Sequence, residues 1–102
     1  MPIWKVPGTS PPEPGRPTRV TIDGAPVAVF KVDNSFLAVS ARCTHVGGPL
    51  DRGTVTGGVV TCPLHGSQFE LASGRVIRGP ATQPIKAYRA RFEADTLVLE
   101  TD

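Results

Sequence analysis

Two short motifs contain every thiol and every imidazole of this 102-residue chain. The first is Cys-Thr-His at residues 43–45, and the second is Cys-Pro-Leu-His at residues 62–65. A thiolate and an imidazole one to three residues apart can bind the same metal centre, so two such motifs provide four ligands. Glycine follows both motifs, at positions 47, 48 and 66. Because glycine has no Cβ, its backbone amide can approach a buried anion closely.

The two motifs resemble the cluster loops of Rieske [2Fe-2S] proteins, in which two cysteines bind one iron and two histidines bind the other. The similarity covers residues 42–80, including a Gly-Pro pair at 79–80 that resembles the third loop of the family. It implies one [2Fe-2S] cluster as the cofactor and no catalytic residue. The implied ligands are Cys43, His45, Cys62 and His65. The residues implied to surround the cluster are Gly47, Gly66, Ser67, Phe69 and Pro80.

Such a ligand set suits one-electron transfer. Two ferric ions and two sulfides carry a charge of +2, and two cysteinates bring the net charge of the oxidised centre to 0. One added electron therefore gives a net charge of only −1. A centre with four cysteinates would go from −2 to −3, which is harder in a low dielectric. Replacing two thiolates by neutral imidazoles therefore raises the reduction potential, into a window of about −150 to +300 mV.

Two departures from the high-potential members of the family indicate the lower or middle part of that window. In quinol-oxidising relatives, a serine and a tyrosine after the second histidine donate hydrogen bonds to cluster sulfurs; here these positions are Ser67 and Phe69, and phenylalanine cannot donate. Those relatives also have a disulfide between the two cluster loops, and the matching positions here are Gly48 and Leu64. The chain thus resembles the Rieske-type ferredoxins that supply electrons to oxygenases.

The rest of the sequence predicts an all-β domain. Alternating apolar residues and turn signals such as Asp23-Gly24 recur every eight to twelve residues, and no segment has the apolar spacing of a long helix. We expect a Rieske-type antiparallel β-sandwich or barrel with an inserted cluster-binding subdomain. The resemblance implies a single domain over residues 1–102, with a basal part at 1–41 and 81–102 and a cluster-binding part at 42–80. The predicted strands are 3–6, 18–22, 25–32, 36–40, a pair within 54–61, 68–71, 75–77, 85–92 and 96–100.

The net charge and the distribution of apolar residues limit the kinds of partner that the protein can bind. The formal charge of +2 is too small to indicate nucleic acid. No apolar run reaches the ~18 residues of a membrane span, and the N-terminus has no signal-peptide pattern. We therefore expect a monomeric protein of the reducing cytoplasm. Five basic residues of the C-terminal third are expected on the solvent face of strands, although they could dock an acidic partner. They are Arg75, Arg78, Lys86, Arg89 and Arg91.

Some side chains outside the motifs also have predicted roles. Trp4 is expected to anchor the core or a sheet edge, and Tyr88 to pack on a strand. Asp51 and Arg52, which follow the first motif, are expected to form a local surface ion pair.

Three functions remain open at this point. The first is a soluble electron carrier that connects a flavin-containing reductase with a terminal oxygenase or a similar redox enzyme. The second is a small Rieske subunit of a larger redox complex. The third is a structural zinc module, because two cysteines and two histidines also satisfy tetrahedral zinc. A disulfide between the two cysteines is a further alternative, but it would leave both histidines without a role.

Overall fold

The computed structural model describes residues 2–44 and 47–101, so His45 and Val46 lie outside the described residues. In this part of the chain all regular structure is β, apart from one 3-10 turn at Leu50–Arg52. The ten strands form two antiparallel sheets. The strands are β1 (Ile3–Val6), β2 (Thr18–Ile22), β3 (Ala25–Val32), β4 (Ser35–Ser40), β5 (Thr54–Thr56), β6 (Val59–Thr61), β7 (Gln68–Glu70), β8 (Val76–Arg78), β9 (Ala87–Glu93) and β10 (Thr96–Glu100).

The larger sheet has six strands in the order β1-β10-β9-β4-β3-β2 and curves into a nearly closed barrel. Its two edges approach each other where the indole N–H of Trp4 on β1 donates to Asp23 in the β2–β3 turn, at 2.8 Å. Trp4 also packs edge-to-face on Tyr88, with ring centroids 5.7 Å apart. Both aromatic residues thus have the packing roles expected of them. The buried interior consists of Ile22, Val27, Val29, Ala38, Leu97 and Leu99.

The smaller sheet has four strands in the order β5-β6-β7-β8, so residues 54–78 pair only among themselves. Side chains alternate between the two faces of a strand. Val27 and Val29 of β3 therefore face the barrel interior, and Ala28 and Phe30 face outward, where they contact the smaller sheet. This second core includes both cysteines of the metal motifs. Its buried members are Ala28, Phe30, Val39, Ala41, Cys43, Leu50, Val60, Cys62, Phe69, Leu71, Ala81 and Ile85.

The all-β fold and its hairpins agree with the sequence. Asp23 and Gly24 both have positive φ, at 49° and 79°, which is the conformation that an Asp-Gly hairpin turn requires. The differences lie at strand ends. Residue Ile85 was predicted to begin a strand, but its N–H donates to the carbonyl of Gly74 at 2.9 Å, and β9 begins two residues later. The 3-10 turn was not predicted.

The expected ion pair between Asp51 and Arg52 was wrong. Asp51 instead pairs with Arg19 of β2 at 2.6 Å, which connects the 3-10 turn to the edge of the large sheet. The C-terminal arginines behave as expected for the solvent face of strands, since several pair with nearby glutamates. These pairs are Arg75–Glu70 at 3.5 Å, Arg89–Glu100 at 3.7 Å and Arg91–Glu93 at 3.0 Å.

Within the described ranges, no helix combines the length and apolar character needed to cross a membrane.

Candidate metal centre

The first cysteine lies in a loop that three backbone hydrogen bonds close. The N–H of Leu50 donates to the carbonyl of Ala41 at 2.8 Å, and the N–H of Cys43 donates to the carbonyl of Gly48 at 2.9 Å. Gly47 then donates to the carbonyl of Cys43 at 2.7 Å, with a φ of 69° that favours glycine. The loop therefore holds Cys43 at a defined position in the core, where the residue is buried. The predicted ligand between these residues, His45, is outside the described part of the chain.

The second cysteine lies in a tighter loop. The N–H of Cys62 donates to the carbonyl of Ser67 at 2.7 Å, which closes the loop at its base. His65 and Gly66 both have left-handed backbone conformations, with φ of 68° and 77°. This conformation costs a residue other than glycine about 1 kcal/mol. Within this short loop Cys62 is buried and His65 is exposed.

The two cysteines come together between these loops. Cys43 and Cys62 are buried in the same core and interact with each other, and both are free thiols rather than a disulfide. Burial is the main cause that raises the pKa of Cys62 above its usual value, and contact with Cys43 raises it further. The backbone N–H of Leu64, which hydrogen-bonds to the Cys62 sulfur, acts in the opposite direction. Burial thus disfavours the thiolate of Cys62, and a bound iron would supply the positive charge that favours it.

Glycine is required where the two loops touch. A Cβ at position 48 would lie 2.8 Å from Sγ of Cys62 and 3.2 Å from Cδ1 of Leu64. No Cβ is tolerated at the first distance, so the side chain of Cys62 can occupy its position only because residue 48 is glycine. Positions 48 and 64 are thus neighbours. In quinol-oxidising relatives the matching positions are joined by a disulfide, whereas neither residue is a cysteine here.

The residues expected around the cluster occupy different depths. Ser67 and Phe69 are fully buried, and Phe69 packs in the same core as both cysteines. The hydroxyl of Ser67 accepts a hydrogen bond from the N–H of Ala81 at 3.0 Å, which places the segment after Pro80 beside the second loop. Pro80 itself is exposed and follows a cis peptide bond. A role of Pro80 beside a cluster stays a prediction.

Within residues 2–44 and 47–101, no three side chains of His, Cys, Asp or Glu converge in a way that could hold one ion. Cys43 and Cys62 form a pair of sulfurs, which is the ligand set of one iron in a binuclear Rieske centre. These two thiols carry no disulfide, so the donor chemistry of the described residues fits the sulfur-ligated iron of a [2Fe-2S] cluster.

Sequence reasoning did not identify two contacts of these loops. The backbone N–H of Leu64 reaches the sulfur of Cys62, and the hydroxyl of Thr44 donates to the carbonyl of Gln83 at 2.6 Å. Thr44 and Gln83 are 39 residues apart, so no local pattern connects them. The only signal available for Thr44 was its position between two candidate ligands.

Comparison with known proteins supports the same assignment. The family model of the Rieske [2Fe-2S] domain matches residues 5–89. Ferredoxin CarAc of Metapseudomonas resinovorans is 38% identical over 93 residues, covering 89% of this chain and 87% of the relative. The ferredoxin of carbazole 1,9a-dioxygenase from Nocardioides aromaticivorans IC177 superposes with a TM-score of 0.85 at 26% identity, covering 96% of this chain and 98% of that one.

A further solved structure contains a related ferredoxin bound to another protein. It is a complex of reduced oxygenase and oxidised ferredoxin in carbazole 1,9a-dioxygenase, and it matches with a TM-score of 0.80 at 32% identity over 94% of this chain and 99% of that chain. The relatives are named as ferredoxins, which carry electrons and are not catalytic subunits. Together with the paired buried thiols, these matches show that the chain belongs to the Rieske [2Fe-2S] domain family, as a ferredoxin that carries electrons on one [2Fe-2S] cluster.

Proposed function

We propose that this ferredoxin accepts single electrons from a reductase, of the flavin-containing kind, and delivers them to the terminal oxygenase of an aromatic-ring dioxygenase system. Several ferredoxins similar to it are named as components of dioxygenase systems, and one is seen in complex with an oxygenase. When bound, the cluster supplies the capacity to take up and release one electron.

The proposed ligands are Cys43 and Cys62 for one iron and His45 and His65 for the other. The observation that carries this assignment is the contact between two buried thiols from separate loops, each loop closed by its own backbone hydrogen bonds. The chain has no other cysteine or histidine, so no alternative ligand set of this type exists. The proposed cluster-binding part is residues 42–80, and the basal part comprises 1–41 and 81–102.

The surrounding residues would set the properties of the centre. Leu50, Val60, Phe69 and Leu71 form an apolar floor beneath the thiols, from which water is excluded. In such a low dielectric, each hydrogen bond to a sulfur strongly affects the reduction potential. The backbone N–H of Leu64 already donates to Cys62, whereas Phe69 has no hydroxyl to donate. We therefore expect a potential below that of quinol-oxidising Rieske proteins.

The second loop would also be the point of contact with partners. His65 is exposed, and Leu64 beside it is 46% exposed. An exposed ligand gives the electron a short path to a docked protein, and an apolar neighbour can exclude water from that contact. Arg42, next to Cys43, and Arg78, paired in register with Gln68, are exposed beside these loops.

The experiment is to purify the protein anaerobically and measure its metal content, visible spectrum and electron paramagnetic resonance. We expect one [2Fe-2S] cluster per chain, its loss in Cys43→Ala and Cys62→Ala variants, and reduction of a terminal oxygenase in stopped-flow mixing. Zinc alone, or a colourless protein after reconstitution with iron and sulfide, would overturn the proposal.

We further propose that the ferredoxin acts as a monomeric shuttle in the cytoplasm. The two cysteines are free thiols, as ligand formation in a reducing compartment requires. Size-exclusion chromatography with light scattering would measure the mass of the purified protein, which we expect to be that of a monomer. Purification from the native cell as a stoichiometric complex would instead favour a subunit of a larger assembly.

A further inference from the structure

One hydroxyl from each cluster loop contacts the same short segment, residues 81–83. From the first loop, Thr44 donates to the carbonyl of Gln83 at 2.6 Å. From the second loop, the hydroxyl of Ser67 accepts from the N–H of Ala81 at 3.0 Å, and Ser67 is fully buried. The two contacts are two residues apart on the segment, so a displacement of either loop must move it.

The segment is itself fixed to both sheets. Ala81 and Ile85 are buried, and the N–H of Ile85 donates to the carbonyl of Gly74 at 2.9 Å, in the turn between β7 and β8. A Cβ at Gly74 would lie 1.9 Å from the carbonyl oxygen of Ile85, so this approach is too close for any other residue. On the other side, the carbonyl of Lys86 accepts the N–H of Ser40 in β4 at 2.8 Å. These contacts attach the chain to both sheets directly after residues 81–83, at Ile85 and Lys86.

No disulfide can connect the two loops. The chain has only two cysteines, and both are proposed iron ligands. The relative position of the loops must therefore come from non-covalent anchors, and the hydroxyls of Thr44 and Ser67 are the side-chain hydrogen bonds that connect the loops to residues 81–83.

We propose that Thr44 is a positioning residue, whose hydroxyl anchors the first cluster loop to residues 81–83 and, through Ser67, to the second loop. This shared anchor keeps the two pairs of ligands in register in a protein that lacks a disulfide between the loops. The inference rests on the proposed function, because it assumes that both loops hold the cluster.

The test compares three holoprotein variants in which only the relevant hydroxyl differs. Thr44→Val removes the hydroxyl with little change of shape, and Thr44→Ser keeps it. Thr82→Val is the matched control, because Thr82 is an exposed threonine on the same segment. The readouts are the rate at which visible absorbance bleaches under a chelator and the width of the electron paramagnetic resonance lines of the reduced cluster.

We expect Thr44→Val to lose its cluster about fivefold faster than the unmodified protein, as the loss of one such hydrogen bond implies. Its resonance lines should broaden, because the ligand positions become heterogeneous. Thr44→Ser and Thr82→Val should stay within about twofold of the unmodified protein. If Thr44→Val cannot be isolated with its cluster, loading in Thr44→Ser supports the proposal and failure there overturns it. Equal rates in Thr44→Val and Thr82→Val would also overturn it.

A double-variant cycle tests whether the anchor is shared. In a Ser67→Ala background the segment is already released from the second loop, so Thr44→Val should accelerate cluster loss much less than it does alone. Additive effects would mean that the two loops are held independently and would refute the shared anchor. A wild-type protein without a [2Fe-2S] spectrum would instead refute the proposed function, so the two failures can be distinguished.

Discussion

Gly48 lies against the sulfur of Cys62, so close that a Cβ at position 48 would be 2.8 Å from Sγ. Replacing Gly48 by alanine must therefore displace either the first loop or the thiol. Because a ligand sulfur tolerates little displacement, we expect Gly48→Ala to contain less cluster per chain and to lose it faster. Iron and sulfide content, together with bleaching rates, would measure both effects.

The matched control is Gly79→Ala, because a Cβ at Gly79 would make only ordinary contacts, the nearest at 3.8 Å from the carbonyl oxygen of Ala81. This variant should retain its cluster. Normal cluster content in Gly48→Ala would show that Cys62 can move without losing iron, which would contradict the steric argument.

Leu64 provides a separate test of partner docking. It is one of three exposed large apolar residues in the described part of the chain, with Ile3 and Ile77. A Leu64→Ser change keeps the backbone N–H that reaches Cys62 but removes the apolar contact. We expect reduction of the terminal oxygenase to slow by about tenfold, equivalent to about 1.4 kcal/mol of lost contact energy. Stopped-flow kinetics would measure the rate.

The control for this prediction is Ile3→Ser on β1, which removes a side chain of similar exposure, 53%, from the edge of the barrel sheet. Both variants should keep the spectrum and potential of the unmodified protein. If Ile3→Ser slows the oxygenase as much as Leu64→Ser does, the docking surface is not at the second loop.

Local signals predicted most of this fold, whereas long-range contacts could not be predicted. Asp23-Gly24 specifies its hairpin through backbone conformation alone, and the spacing of cysteine and histidine identifies the loops. By contrast, Asp51 pairs with Arg19 rather than with its neighbour Arg52, because the fold brings β2 to the 3-10 turn. The hydrogen bond from Thr44 to Gln83 has the same origin, since it depends on the return of the chain after β8.

The strand boundary at Ile85 shows the same limit. Its apolar character predicts a strand, and the residue is indeed buried. However, its N–H bonds to Gly74 in a turn instead of joining the ladder of β9. The sequence shows that Ile85 belongs to the core but cannot show which backbone group its amide meets.

Tyr88, the single tyrosine of the chain, predicts an alkaline loss of stability. Burial raises the pKa of Tyr88, whose ring also contacts Trp4 and lies 5.3 Å from the ammonium of Lys86. The unfolded chain therefore releases the phenolic proton at a lower pH than the folded protein does. Above pH 10, the free energy of unfolding should fall as the pH rises, until the pH exceeds the raised pKa of Tyr88 in the folded protein.

Two measurements check this expectation. An ultraviolet titration reports Tyr88 directly, because no other tyrosine contributes. Urea unfolding at several pH values should show a steeper decline in the unmodified protein than in Tyr88→Phe, with the difference confined to pH values above about 10. The same slope in both proteins would mean that the phenol titrates alike in the folded and unfolded chain.

Removal of the cluster should affect the two sheets unequally. The barrel interior around Val27, Val29 and Leu99 contains no residue of the cluster loops, whereas the second core includes both cysteines. Without iron, the buried thiols lose the ligand that connects the two loops, so the second core should open more easily. We expect hydrogen exchange in the apoprotein to accelerate in residues 41–50, 59–70 and 76–86 and to change little in β3, β9 and β10. Uniform acceleration over both sheets would show instead that the cluster stabilises the domain as a single cooperative unit.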